Sequence, residues 1–479
     1  MRSRFVAAVS LFALLSGCGG GGDDGGNFTG STPTGSATPT PTTAAGCSLT
    51  ERQNWAAAQL REWYLFPDLL PATLSPAGYT TVDDYIDALT ATARSQRKDR
   101  YFTYLTSIKA ENAYYDAGAS GGFGIRLSYD NANRRVFVSE AFEGAPALAA
   151  GIDRGTEILA VGSSSGNLVT VSALMSASGA GGVVDALGPD TAGTTRVFRI
   201  ASASGGTREV TVAKADYTLA PISSRYGAQI ISDGGNQVGY VNLRTFIETA
   251  DPALREAFAR FKAAGVTQVI VDVRYNGGGL IKIAELFSDL LGGARSTSEV
   301  QSYTVYRSEK SASNSTRLYQ RQTQAIAPTR IAFIGTGGTA SASELVINAA
   351  IPYLRANAAL VGTNTYGKPV GQIARDYDKC DDRLRIVALA TQNASRQGDY
   401  YDGLASKVEA SCRATDDTTY QMGDPREAST RAALDFLAGR VCSPITGDAS
   451  AQSVRASATR TLLSPTRPTT AQREVPGLF

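Results

Sequence analysis

Between residues 217 and 445, short apolar runs alternate with stretches that repeat their apolar positions at helical spacing, and no other feature of the sequence restricts the fold as strongly. QVGYVNLRTF (237 to 246) and QVIVDVRY (268 to 275) have the length and apolar content of strands, and residues 251 to 264 between them read as a helix. RIAFIG (330 to 335), residues 342 to 355 and AALVGT (358 to 363) repeat the order strand, helix, strand. Strands separated by helices cannot pair as hairpins. Each crossover lays a helix on the sheet and returns the chain to the same sheet end. A mixed sheet with covering helices follows.

The segments upstream have other periods. Leu49, Trp55, Ala58, Leu60, Trp63 and Leu65 fall at helical spacings, as do Val82, Tyr85, Ile86, Leu89 and Ala93, which predicts a small helical domain over residues 47 to 105. GGFGIRLSYD (121 to 130), RRVFVSE and EGAPALAAGIDRGTEILAVGS then give strand, strand, short helix and strand, with turns at Gly151 and Gly155. They define a β-rich domain over residues 106 to 216, with a Gly/Ser-rich insert at 163 to 193. The fold class is therefore α+β and multidomain, with a mixed α/β core over residues 217 to 445. Residues 446 to 479 are rich in Ser, Thr, Ala and Arg and are expected to be a disordered tail.

Arg2 and Arg4 precede an apolar run over residues 5 to 15, the pattern of a signal peptide spanning residues 1 to 17. LSGC, residues 15 to 18, resembles the lipobox of bacterial lipoproteins, which implies a lipidated Cys18 and a membrane partner through the lipid anchor. Residues 18 to 46 then serve as a flexible Gly/Thr/Pro-rich linker. The expected location is the bacterial cell envelope, at the outer membrane or facing the periplasm. Cys47, Cys380, Cys412 and Cys442 remain, an even number in an oxidising compartment. They predict two disulfides whose connectivity the sequence leaves open. A formal charge of +2 without a long basic run gives no electrostatic case for nucleic acid.

The 479 residues contain no histidine, so Ser-His-Asp and Cys-His arrangements are excluded. GTGGTASASE, residues 335 to 344, nevertheless places Ser341 where a strand passes through a glycine turn into a helix. Ser341 and Glu344 also form the S-x-x-E of a capping box, and a helix start offers free amides to an oxyanion. Without histidine the serine needs another base, and an amine can serve if it is neutral near pH 7, which burial can bring about for a lysine but not an arginine. Only nine of the 46 basic residues are lysine, and Lys368, in NTYGKPVGQ, lies one helix and one strand downstream of Ser341. SQRK, residues 95 to 98, has the S-x-x-K spacing but sits in a charged run that reads as solvated surface. DVRYNGGG, residues 272 to 279, ends an apolar strand and can supply a main-chain amide beside that of Ala342.

DVRYNGGG, TASASE and YGKPVGQ in that order resemble the carboxy-terminal processing, or tail-specific, serine peptidases. The GFGI loop with APALAAGI resembles a PDZ domain, and such peptidases combine a helical N-terminal part, a PDZ domain and a Ser/Lys core. The resemblance implies Ser341 as nucleophile, Lys368 as general base and Gln372 as the residue orienting the lysine. Ser343 falls on a nonreactive position. Ala342 and either Gly278 or Gly279 become the oxyanion amides, and Gly122, Phe123, Gly124 and Ile125 the peptide-binding loop. Pro369 and Thr156 depart from the usual residues. The implied protein is an exported, lipid-anchored endopeptidase acting on peptides or unfolded proteins, with no metal or organic cofactor in its chemistry. The competing expectation is an inactive lipoprotein that only binds peptides.

Overall fold

The apolar alternation becomes a six-stranded sheet whose period-two burial sends successive side chains to opposite faces. In the computed structural model, which describes residues 46–203, 205–446 and 460–479, the order is Ala228–Asp233, Asn236–Asn242, Gln268–Asp272, Arg330–Gly335, Ala358–Gly362 and Ala410–Arg413. The first pair is antiparallel and the remaining pairs are parallel. Val269, Val271, Ile331, Phe333 and Leu360 enter one core with the helices Ala250–Ala263, Ile281–Leu291 and Ala342–Leu354. Ile270, Ala332, Ile334 and Val361 face the other way, onto the helix Ala428–Leu437. Because the strands run parallel, the loops after Asp272, Gly335 and Gly362 leave from one edge.

A second sheet is antiparallel, with Tyr104–Ser107, Asp382–Gln392, Val300–Tyr306 and Ser315–Leu318 in that order and Val370–Tyr377 also paired to Asp382–Gln392. The helices Leu49–Trp63 and Val82–Leu89 pack on it. Their buried Leu60, Tyr85 and Ile86 share a core with Val370, Leu384 and Ile386. The helical segment therefore closes no core of its own. Its apolar faces are completed by strands some 300 residues downstream, and an Arg52–Asp382 ion pair and the Cys47–Cys380 disulfide fasten the same seam.

The β-rich lobe has Thr461–Leu462, Ile125–Asp130, Arg135–Ala141, Glu157–Gly162, Thr195–Ala201 and Thr207–Ala213 as successive strands. The expected Gly/Ser-rich insert contains a helix, Val171–Leu187, interrupted at Ser178 and Gly179. It buries Val171, Met175, Val183 and Leu187 against the sheet. A short helix, Pro146–Ala149, is followed by Gly151.

The expectation of disorder over residues 446 to 479 is corrected for residues 460–479. They form the strand Thr461–Leu462 and the helix Thr470–Glu474, and they bury Leu463, Val475, Leu478 and Phe479. These anchors are too few and too unevenly spaced to register as a period within a Ser/Thr/Arg-rich segment. Residues 447–459 lie outside the described residues, as do 1–45 with the signal peptide, Cys18 and most of the linker. No helix among the described residues is long and apolar enough to cross a membrane.

The second disulfide joins Cys412 to Cys442, so both expected bonds are present and their connectivity is resolved. Peptide mapping of the unreduced protein should recover Cys47–Cys380 and Cys412–Cys442 and no other linked pair. The Cys47→Ser/Cys380→Ser double variant should lose about 2–5 kcal/mol of unfolding free energy, because the bond closes a very long loop. Denaturant midpoints that match the wild type would refute that role.

Candidate active site

Three loops from the shared edge of the parallel sheet meet around Ser341. The loop after Gly335 is fixed by Thr339, whose hydroxyl donates to Val273 O at 2.8 Å, and by the Ala340 N–H, which donates to Asn276 O at 3.0 Å. Ser341 then takes φ 55° and ψ −114°, a strained conformation for a residue with a Cβ, and remains partly exposed. Ser343, two residues on, is fully buried and donates its hydroxyl to Asn276 O at 3.0 Å. The two serines are thus physically distinct. One hydroxyl is committed to a main-chain bond, and the other belongs to a strained residue at a helix start.

The loop after Asp272 brings its glycines against that residue. Asn276 is fully buried and sends Nδ2 to Leu243 O at 2.8 Å, while its Oδ1 accepts the Gly278 N–H at 2.9 Å. A Cβ on Gly278 would lie 2.8 Å from the Ser341 Cβ and 3.3 Å from the Ala342 nitrogen. Gly278 and Gly279 have φ of 127° and 131°, which only glycine adopts readily. The Gly278 N–H is committed to Asn276, whereas the N–H groups of Gly279 and Ala342 have no hydrogen-bond partner among the described residues.

The loop after Gly362 carries Lys368. Its Nζ donates to Gln372 Oε1 at 2.8 Å and lies 4.9 Å from the centre of the Phe102 ring, and Gln372 Nε2 donates in turn to Phe102 O. Burial pushes the Lys368 pKa down, and the charge of Glu474 acts against that shift. Arg100 supports the loop from below. Its Nη2 reaches Tyr366 O at 2.8 Å and also Gly367 O, with the guanidinium 4.1 Å from the Tyr366 ring centre.

Glu344 ties the serine loop to the lysine loop. Its Oε2 accepts the Ser341 N–H at 3.0 Å and the Lys368 N–H at 2.7 Å, while Oε1 accepts the Gly367 N–H at 2.7 Å and the Thr365 hydroxyl at 2.6 Å. The side chain is fully buried. Burial raises its pKa, and these four donors oppose the shift. The sequence showed Glu344 only as a capping partner; its tie to the lysine loop carries no local signal. Asn276, Phe102 and Arg100 were missed for the same reason.

Gly122, Phe123, Gly124 and Ile125 lie in the β-rich lobe, away from Ser341 along the chain but joined to it by residues 474–479. The N–H groups of Gly124 and Ile125 donate to Phe479 O at 2.8 and 3.1 Å. A Cβ on Gly122 would stand 2.7 Å from the Phe479 carbonyl carbon, and Phe123 is fully buried beneath the loop. Cys18 lies outside the described residues.

Residues 237–400, which hold Ser341, Lys368 and Gln372, match the family described as Peptidase family S41. The match covers about a third of the chain, and the chain as a whole is similar to carboxy-terminal processing proteases. It is 23% identical over 337 residues to carboxy-terminal processing protease CtpA of Bacillus subtilis, covering 68% of this chain and 65% of that one. It is 27% identical over 302 residues to the chloroplastic carboxyl-terminal-processing peptidase 3 of Arabidopsis thaliana, covering 60% and 53%. The chain thus spans about half to two thirds of the length of these relatives. A crystal structure from Bacteroides fragilis assigned to the S41 proteases shares the fold at a TM-score of 0.61, with 21% identity over 80% of this chain and 97% of that one.

Glu344→Ala should lower the unfolding free energy by about 3 kcal/mol, since it strands four donors, two of them buried. Urea denaturation measures the loss. A change below about 0.5 kcal/mol, the size of an ordinary surface substitution, would refute the tie.

Proposed function

We propose that the chain is an exported, lipid-anchored serine endopeptidase that cuts peptides or unfolded proteins through a Ser341 acyl-enzyme. Ser341 Oγ attacks the scissile carbonyl as its proton passes to neutral Lys368 Nζ. Lys368 returns that proton to the departing amine. Water then attacks the ester, with Lys368 again accepting and returning a proton. Gln372 holds the amine in place through the 2.8 Å hydrogen bond. The Ala342 and Gly279 N–H groups receive the oxyanion, a choice favoured because the Gly278 N–H is already committed to Asn276. Gly278 instead keeps the space beside Ser341 free of a side chain.

The observation that carries this reading is the single Glu344 carboxylate bonded to the main chain of both Ser341 and Lys368. It fixes a strained serine and a desolvated lysine relative to each other, which a peptide-binding scaffold would not require. Cys18 as the anchor and the Gly122 to Ile125 loop as a recognition site for substrate termini belong to the same proposal. The S41 match and the homology to carboxy-terminal processing proteases support the reaction class.

Ser341→Ala should abolish hydrolysis of an unfolded-protein substrate while the fold is kept, and Ser343→Ala should retain activity within about tenfold, because it removes one hydrogen bond of about 1 kcal/mol. Turnover by Ser341→Ala would refute the nucleophile. Lys368→Arg should be as inactive as Lys368→Ala, since a guanidinium keeps its proton.

The base must be unprotonated in the free enzyme, so kcat/KM should rise with pH through the pKa of Lys368. Burial lowers that pKa, so the rise should lie below the range where an exposed lysine titrates. A profile that stays flat at every pH below that range would exclude Lys368 as the base.

A further inference from the structure

Residues 460–479 pass the Gly277–Gly278 turn at Ser341, the cleft of the proposed site, and then run along the groove beside Gly122 to Ile125. Leu127 N–H donates to Gly477 O at 2.8 Å and Phe479 N–H to Ile125 O at 2.9 Å, while Phe479 O accepts from Gly124 and Ile125. Arg126 and Leu478 form an antiparallel bridge, so residues 477–479 lie against Ile125–Asp130 as an added strand. Phe479 is 3% exposed and shares its core with Phe123, Ile125 and Leu127.

Upstream, Gly277 N–H donates to Glu474 O at 2.9 Å, and Tyr115 OH donates to Glu474 Oε1 at 2.9 Å. A Cβ on Gly278, the same atom that would crowd Ser341, would lie 3.3 Å from Glu474 Oε2. Further contacts clamp the segment from three sides. Arg473 reaches Tyr101 O at 3.0 Å, Gln472 reaches Asp190 at 3.0 Å, and Arg467 pairs with Asp84 and Asp87 at 2.6 Å each.

We propose that residues 460–479 are a resident occupant of this protein's own groove and cleft, an internal competitor that a substrate must displace. The occupancy stands on the geometry alone; its inhibitory consequence rests on the peptidase reading above. The segment is placed to block and not to be cut. Its Glu474 carbonyl is bonded to Gly277, and no carbonyl of the segment meets the N–H groups of Ala342 or Gly279. What it sets beside Gly278, the glycine that lies against Ser341, is the Glu474 carboxylate. That charge favours the protonated form of Lys368, which cannot take a proton from Ser341. Apolar residues laid as a strand on Ile125–Asp130 are the ligand chemistry the groove accepts.

The test uses the full chain and a labelled peptide of residues 469–479. By fluorescence anisotropy, Phe479→Asp should bind the peptide at least about tenfold tighter than the wild type, because a site nine-tenths occupied loses that factor in apparent affinity. Equal affinities would overturn the occupancy. Hydrogen exchange on the wild type gives a reading that depends on no variant. The amides of Gly124, Ile125 and Leu127 should be protected, and exchange at open-loop rates would overturn the proposal even if Phe479→Asp fails to fold. Both Phe479→Asp and Glu474→Gln should raise kcat/KM at least about tenfold on an unfolded-protein substrate. Unchanged kcat/KM with tighter peptide binding would remove the inhibitory role. If no protein hydrolyses substrate while anisotropy and exchange behave as expected, the occupancy stands and the peptidase reading fails. Loss of the segment from the wild type but not from Ser341→Ala, seen by intact mass, would make it a self-processed substrate and overturn its role as occupant.

Discussion

Everything at the site depends on one buried carboxylate. Glu344 begins as a helix-start residue, bonding the Ser341 N–H three residues back, which is ordinary capping chemistry. Its other contacts are with residues 365–368, which come from a separate crossover of the sheet. Two loops that leave parallel strands at neighbouring positions thereby share one anion. The arrangement is costly to form, because a desolvated carboxylate needs its donors, and rigid once formed for the same reason. Lys368 can then be desolvated without losing its position, since its loop is held through the main chain and not through its ammonium.

The composition of the cations follows from the same physics. Arg126, Arg244 and Arg274 are almost wholly buried, paired with Glu140, Asp272 and Glu427. Arg154 joins the lobe to Asp416 of the core at 2.8 Å. A guanidinium keeps its charge in such places and satisfies several acceptors at once, whereas a lysine yields its proton readily when desolvated. Most of the buried structural cations are arginine, although Lys214 is also buried and pairs with Asp190 at 2.7 Å. Burial lowers the pKa of Lys368, while that of Arg154 is raised by Tyr275 and Asp416, that of Arg244 by Tyr226 and Glu140, and that of Arg274 by Asp272 and Glu427, all against burial.

The parallel sheet was legible because burial on both faces leaves long apolar runs, as in Val269 to Val271 and Ile331 to Ile334, and because the intervening helices are long enough to show their period. Ser341, Lys368 and the glycines could be singled out since their chemistry is rare in a chain without histidine. What stayed hidden depends on pairing between distant segments. Leu60 and Ile86 have helical spacing, but nothing local states that their partners are Leu384 and Ile386. The tail was misread because its order comes from Leu463 and Phe479 filling a core built by residues 123 to 212. Composition measures whether a segment can bury itself, and this one is buried by others.

Arg126 carries the connection between lobe and cleft. It sits on the strand that the tail extends, is 1% exposed, and holds Glu140 through Nε at 3.0 Å. Its Nη1 donates to Pro476 O of the tail and, at 3.0 Å, to Tyr275 O. Tyr275 itself has a φ of 66° and directly precedes Asn276, whose side chain sets the Gly278 turn. A single guanidinium therefore touches both the groove's occupant and the turn that places Gly278 and Gly279 beside Ser341. If the occupant leaves, one of the acceptors of a buried cation goes with it, and the cation must draw on Tyr275 O, Glu140 or an incoming peptide carbonyl. What fills the groove is thus coupled to the geometry of the glycine turn by the cost of an unsatisfied charge, and this needs no large motion of either sheet.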